Sequence, residues 1–346
     1  MFKENLLIDG KRAPALTGQV SKIINPATGK ILAEVAEGGS ADIEIAVKAA
    51  HRAFAEENWR TLNSRERTRY LLKLAQLIRD NAKNLAQLES QNVGKPIRES
   101  LDEVQLAADC FEYYAGAINK VGGKTIPVAA PGVSLTFREP LGVCGLILPW
   151  NFPIAITSWK VAPALAMGNT VVVKPARQTP LTALRLAELA LEAGIPAGVL
   201  NVIPGRGDDA GEALIKHPLI RKISFTGSTE VGRRVMKLAA DDIKRVTLEL
   251  GGKSANIVFA DADLEKAANG AVWSVLGNAG QDCCARSRLL IEKSIYDEFL
   301  SRLIELFNQV RIGDPMAGTT ELGSLISEEH RQRVLNYINL GKEEGA

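Results

Sequence analysis

Between residues 143 and 250 the chain alternates between short runs of apolar β-formers and stretches with helical spacing. The β-type runs are 143–148, 170–174, 199–203, 222–225 and 246–250; the helical stretches lie around 155–167, 181–193, 210–216 and 231–239. A strand that is apolar along its whole length must be covered on both faces. Strands that regularly alternate with helices predict an α/β fold with a doubly wound, mainly parallel sheet. Ligands in such sheets sit at the carboxyl ends of the strands, so the loops there are where chemistry is expected.

Around this block the pattern changes. Residues 40–60 and 65–116 read as helices, with Leu71, Leu72, Leu74, Ala75, Leu77 and Ile78 at helical spacing and charges on the other face. Residues 125–128 and 133–138 read as a short hairpin turning at Pro131-Gly132. From Lys253 a second α/β unit begins: strand 255–259, helix 263–279, strand 287–292, helix 294–310 and a last amphipathic helix 327–344. No closing strand follows, so this second unit reads as incomplete.

The charge balance excludes several function classes. A formal net charge of +2, from Lys and Arg spread along the chain, predicts neither a nucleic-acid footprint nor an acidic-lipid anchor. The first residues lack a signal-peptide pattern, and the apolar stretch 142–149 is far too short to span a bilayer. A cytoplasmic protein is expected. The four cysteines form no CxxC, and His51, His217 and His330 are scattered, which argues against a disulfide framework, a zinc site or a Cys–His pair. Cys110 and Cys144 read as core filling.

Two turns could hold a dinucleotide. Gly205-Arg206-Gly207-Asp208-Asp209-Ala210 follows a strand and opens a helix, as a G-x-G-x-x-[GA] loop does. Phe225-Thr226-Gly227-Ser228 also leads from strand to helix, where free amides and Ser228 could cradle a pyrophosphate. Either could equally be a plain tight turn.

Five motifs then occur in order: Leu148-Pro149-Trp150-Asn151-Phe152-Pro153, Lys174-Pro175, Phe225-Thr226-Gly227-Ser228, Leu248-Glu249-Leu250-Gly251-Gly252-Lys253 and Gly280-Gln281-Asp282-Cys283. This series resembles the NAD(P)-dependent aldehyde dehydrogenase superfamily, faintly its betaine-aldehyde and aminoaldehyde members. The interval between Glu249 and Cys283 resembles the family's too. The resemblance covers essentially the whole chain. It implies Cys283 as nucleophile, Glu249 as base and Asn151 as oxyanion donor. Trp150, Lys174, Arg177, Gly207, Gly227, Ser228 and Leu250 would contact NAD or NADP, the pyrophosphate lying at Gly227 and the Gly205–Gly207 loop nearer the adenine. It further implies a cofactor domain (1–120 and 141–251), an oligomerisation hairpin (121–140) and a truncated catalytic domain (252–346), with a small aldehyde as substrate and a homo-oligomer in full-length relatives. No metal is implied.

The chemistry suits these residue types. A thiolate adds to an aldehyde and leaves again from a thioester, so the site should favour the ionised sulfur. An asparagine amide donates to an oxyanion without carrying charge, and a buried glutamate raised toward neutrality suits activation of water. Cys284 is expected to project away from Cys283 and pack. Two departures from the family pattern stand out. Arg177 occupies a place where many NAD-using relatives carry a glutamate; it could pair with a 2′-phosphate or point to solvent. The chain also ends before the family's Glu-x-Phe-Gly-Pro motif and its last strand, which suggests a truncated or split product. A CoA-acylating semialdehyde dehydrogenase, disfavoured by Glu249, and an inactive nucleotide- or partner-binding fragment are the alternatives.

Overall fold

A computed structural model of the chain describes residues 2–56 and 59–346. Positions 57 and 58, within the expected helix 40–60, lie outside the described residues. The chain opens with strands β1 (Phe2–Glu4), β2 (Leu6–Ile8), β3 (Lys11–Ala13), β4 (Val20–Ile24) and β5 (Ile31–Ala36). Helices α1 (Ser40–Ala55), α2 (Ser64–Asp80), α3 (Ala82–Val93) and α4 (Ile97–Ala117) follow. The expected long helix 65–116 is therefore three helices. Asn81 ends α2 and starts α3, and Gly94, at φ 93°, closes α3 in the left-handed region that favours glycine.

A hairpin, β6 (Lys124–Ile126) with β7 (Ser134–Thr136), pairs Lys124 with Thr136. Then comes the predicted alternation: β8 (Val143–Ile147), α5 (Pro153–Ala166), β9 (Thr170–Lys174), α6 (Leu181–Glu192), β10 (Leu200–Val202), α7 (Glu212–Lys216), β11 (Ile220–Gly227), α8 (Thr229–Ala240) and β12 (Arg245–Leu250). Local chemistry sets the helix starts: Pro153 occupies the first turn of α5, and the Ser228 hydroxyl caps α8 by accepting from the Val231 amide at 3.3 Å.

The central sheet has seven strands in the order β12-β11-β8-β9-β10-β2-β3. The first five run parallel; β2 and β3 extend the edge antiparallel. Alternate residues of β9 face opposite layers. Val171 and Val173 join the core formed with α2, α4, α5 and α6, whereas Val172 joins the core with α1, α7 and α8. That division is the physical content of a doubly wound sheet. Of the amino-terminal strands, β1, β2 and β3 have three residues each, too few to show a period, and β1, β5 and β4 form a separate three-stranded sheet with β5 in the middle.

Beyond β12, strands β13 (Ala255–Val258) and β14 (Arg288–Ile291) pair in parallel under α9 (Leu264–Leu276) and α10 (Tyr296–Gln309). Val258, Ala268, Ala271 and Phe299 make a third, smaller core there. Helix α11 (Glu328–Glu343) ends the chain. The hairpin stands clear of these cores, with Val133 79% and Phe137 80% exposed. No helix among the described residues is long and apolar enough to cross a membrane.

Candidate active site

In the order β12-β11-β8-β9-β10 the chain leaves β8 toward β9 and β10, then returns to its other side with β11. The carboxyl ends of β8 and β11 therefore flank the topological switch point, where a crevice opens. The loop leaving β8 carries Trp150 and Asn151, and the turn leaving β11 carries Gly227 and Ser228. Beside them β12 brings Glu249 and Leu250, register partners of Thr226 and Gly227.

The nucleophile candidate reaches this crevice from the second unit. After α9 a turn of 3-10 helix (Gly277–Gly280) holds Asn278 and Ala279 at positive φ and delivers Gln281, Asp282 and Cys283. Asn151 Nδ2 donates to the main-chain oxygen of Gln281 at 2.8 Å, tying the Cys283 loop to the end of β8. On the other side a Cβ placed at Gly252 would lie 3.5 Å from the Cys283 carbonyl oxygen. Asn151 and the Cys283 loop are thus brought together, and Glu249 stands three residues before the glycine that faces the Cys283 main chain.

Several details differ from expectation. The Cys283 thiol is pushed up to about 11 by burial, by its contact with Cys284 and by the nearby Asp282 carboxylate. Without cofactor, the surroundings favour the protonated sulfur. Cys284 does not project away: it is exposed, and its sulfur lies 3.7 Å from that of Cys283. The two residues sit in a turn, where the side-chain alternation of a strand does not apply. Glu249 is exposed rather than buried, because β12 is the edge strand and alternates Val246, Leu248 and Leu250 inward against α8, with Glu249 on the opposite face.

The expected cofactor residues line the same edge. Ser228 and the first amides of α8 are open to solvent at a helix N-terminus, and the buried Thr226 hydroxyl just before them has no hydrogen-bond partner in the protein. Leu250 packs over Gly232, where a Cβ would stand 2.7 Å from its methyl carbon. Lys174 is buried and donates to the main-chain oxygens of Pro175 (2.9 Å) and Gly205 (3.0 Å). Burial lowers its ammonium to about 8. Gly205 meets Gly38 so closely that a Cβ would fall 2.3 Å from the Gly38 oxygen, whereas Gly207 borders open space. Trp150 sets its ring edge-on against His330, with centroids 5.1 Å apart.

Arg177 is half exposed but is tied to a carboxylate rather than pointing freely to solvent. Its Nη2 and Nε donate to the Glu37 carboxylate at 2.8 and 2.9 Å, and its Nε lies 3.1 Å from the Ser21 hydroxyl. Burial works to raise Glu37, but the hydrogen bonds from Ser21 and Arg177 outweigh it and hold the carboxyl below its ordinary range. Arg177 remains exposed at its tip.

Further polar residues lie near these side chains without a motif to mark them. Lys160, buried in α5, donates to the Ser224 hydroxyl at 2.7 Å; burial lowers it to about 8, and Glu249 opposes that shift. A lone charge in the otherwise uncharged helix Pro153–Ala166 is the available signal. Lys95 and Asn278, which donate to the Asn151 carbonyl, and Glu103, which pairs with Lys95, carry no local signal.

Residues 15–346 match the Aldehyde dehydrogenase family. The chain is 49% identical to the putative aldehyde dehydrogenase DhaS of Bacillus subtilis (strain 168) over 344 residues, covering 99% of this chain and 70% of that relative. It is 45% identical to the betaine aldehyde dehydrogenase of the same organism, covering 100% of this chain and 71% of that one. Among solved structures, PnpE in complex with nicotinamide adenine dinucleotide superposes at a TM-score of 0.96 with 48% identity, over 99% of this chain and 70% of the other. With an ordered motif series, a switch-point crevice and this likeness over nearly its full length, the chain belongs to the aldehyde dehydrogenase family.

Proposed function

We propose that the protein oxidises an aldehyde to a carboxylic acid with NAD or NADP, through a covalent intermediate on Cys283. One observation carries the reading: Asn151 on the β8 loop reaches the Gln281 carbonyl at 2.8 Å, two residues before Cys283. A sulfur nucleophile and an uncharged amide donor are thereby held at the switch point.

In this reading the ionised Cys283 sulfur adds to the aldehyde carbon, and the new oxyanion accepts hydrogen bonds from Asn151 Nδ2 and the Cys283 main-chain N–H. Removing one such donor costs on the order of 3–4 kcal/mol of barrier. The oxidised nicotinamide, when bound, supplies the hydride acceptor. Glu249 then takes a proton from water, which attacks the resulting thioester; the acid departs and the Cys283 thiolate returns. The cofactor fits the residues present: the open N-terminus of α8 with Ser228 suits a pyrophosphate, the orphaned Thr226 hydroxyl offers a further polar contact, and Lys174 keeps one N–H beyond its two main-chain acceptors for a ribose hydroxyl.

Residues 1–120 and 141–251 form the cofactor domain, 252–346 the catalytic domain, and 121–140 an arm for assembly with a second copy. Arg177 keeps one terminal nitrogen without a partner among the described residues, which fits tolerance of the NADP 2′-phosphate. The test is formation of reduced cofactor by the purified chain with a panel of aldehydes and either NAD or NADP, with Cys283→Ser as control. Turnover abolished by that substitution supports the reading; turnover that survives it sinks the covalent route. A strong preference for NAD in kcat/KM sinks the role given to Arg177.

A further inference from the structure

Beneath Asn151 lies a fully buried charged group that the proposed chemistry does not use. Lys95 has no solvent exposure, sits between α3 and α4, and forms an ion pair with Glu103. Its Nζ donates to the main-chain oxygen of Asn151 at 2.8 Å and lies 4.3 Å from the Phe152 ring centroid. Asn278 Nδ2 donates to the same Asn151 oxygen, also at 2.8 Å. Glu89, a second buried carboxylate of the cluster, accepts from the Ile154 amide at 3.0 Å and the Thr182 hydroxyl at 2.6 Å, anchoring the first turn of α5 that follows Asn151. Burial raises the carboxyls of both Glu89 and Glu103, with Lys95 opposing the shift.

Such a cluster is a costly way to gain stability. Apolar side chains of similar volume usually hold a core as well as a buried ion pair does, whereas removing one partner alone leaves an uncompensated charge. Geometry accounts better for its presence. Two donors converge on the Asn151 carbonyl from opposite directions in the chain, and the Asn151 side chain is held at its other end by the Gln281 oxygen. One Nδ2 proton is committed to Gln281, so the direction of the second is set by how firmly the peptide is clamped.

We propose that Lys95, held by Glu103, is a positioning residue for Asn151: by fixing the Asn151 carbonyl it aims the remaining amide proton at the oxyanion formed on Cys283. This rests on the oxyanion role given to Asn151 above. A displacement of about 1 Å at such a donor is worth roughly a hundredfold in rate, so an effect of tens of fold is expected without any contact between Lys95 and substrate.

The test separates adducts that need an oxyanion donor from a reaction at the same sulfur that does not. Trifluoroacetophenone adds reversibly to a thiolate to give a tetrahedral oxyanion, followed by fluorine NMR on the full chain; iodoacetamide alkylates the thiolate by displacement. The variants are Asn151→Ala and the double change Lys95→Met with Glu103→Gln, which leaves neither buried partner charged and alone. Expected is a ketone adduct weakened tenfold or more in both, with Cys283 alkylation within about twofold of the parent. An adduct weakened by Asn151→Ala but unchanged in the folded double variant overturns the proposal. Equal slowing of both reactions in the double variant also overturns it, since the cluster would then merely hold the fold. An adduct indifferent to Asn151→Ala refutes the oxyanion reading itself, and the positioning role with it.

Discussion

The ionisation of Cys283 gives the sharpest test of the site. Burial, the Cys284 contact and the Asp282 carboxylate raise its thiol from 9.0 to about 11. At about pH 8 a thiol at 11 is ionised to about one part in a thousand, against about one in ten at 9.0, which predicts alkylation about a hundredfold slower. Cys283 is only partly buried, and solvent screening trims the charge contributions, so at least about tenfold is expected. The assay is iodoacetamide labelling of the cofactor-free chain from about pH 7 to 11, with the modified peptide quantified by mass spectrometry to separate Cys283 from Cys284. The rate should climb about tenfold per pH unit with no plateau before about pH 10. Asp282→Asn keeps the acceptor for the Cys284 amide, 2.9 Å away, but removes the charge, and should speed labelling several-fold; Cys284→Ser should do likewise. A plateau at or below about pH 8.5, or indifference to both substitutions, would refute the account of what surrounds the sulfur.

Other consequences can be checked on the same chain. Gly205→Ala would place a Cβ 2.3 Å from the Gly38 oxygen, so the Gly38–Gly205 bridge should part; a loss of about 1–3 kcal/mol in urea unfolding is expected, with weaker cofactor binding by fluorescence titration. Phe111, fully buried in α4, should cost about 3–5 kcal/mol when changed to Ala. Lys160 is held down from 10.5 to about 8 in the folded chain, so the folded state binds its proton less well than the unfolded state. That penalty is present below about pH 8 and fades as pH rises to about 10.5. Urea unfolding should therefore show Lys160→Met losing up to ~3 kcal/mol relative to the parent across that window; a pH-independent difference would contradict it.

The central block of the fold was legible because its signals are local. An apolar run of β-formers such as 170–174 declares burial on both faces, and the intervening helices carry their own starts, as Pro153 and Ser228 do. The motif series, through the family resemblance it carries, likewise points to Cys283, Asn151 and Glu249. Tertiary structure decided what depends on partners far away in the chain. Strands β2 and β3 exist as part of the large sheet because β10 offers an edge; alone, two three-residue strands are too short to hold. Arg177 meets a carboxylate 140 residues away at Glu37, and Lys95 meets Asn151 across 56 residues. Glu249 lies exposed because its strand is the last in the sheet, and Cys284 turns toward Cys283 because both sit in a turn. Periodicity reports whether a side chain must leave water. Which buried group it then meets is set by how the layers close.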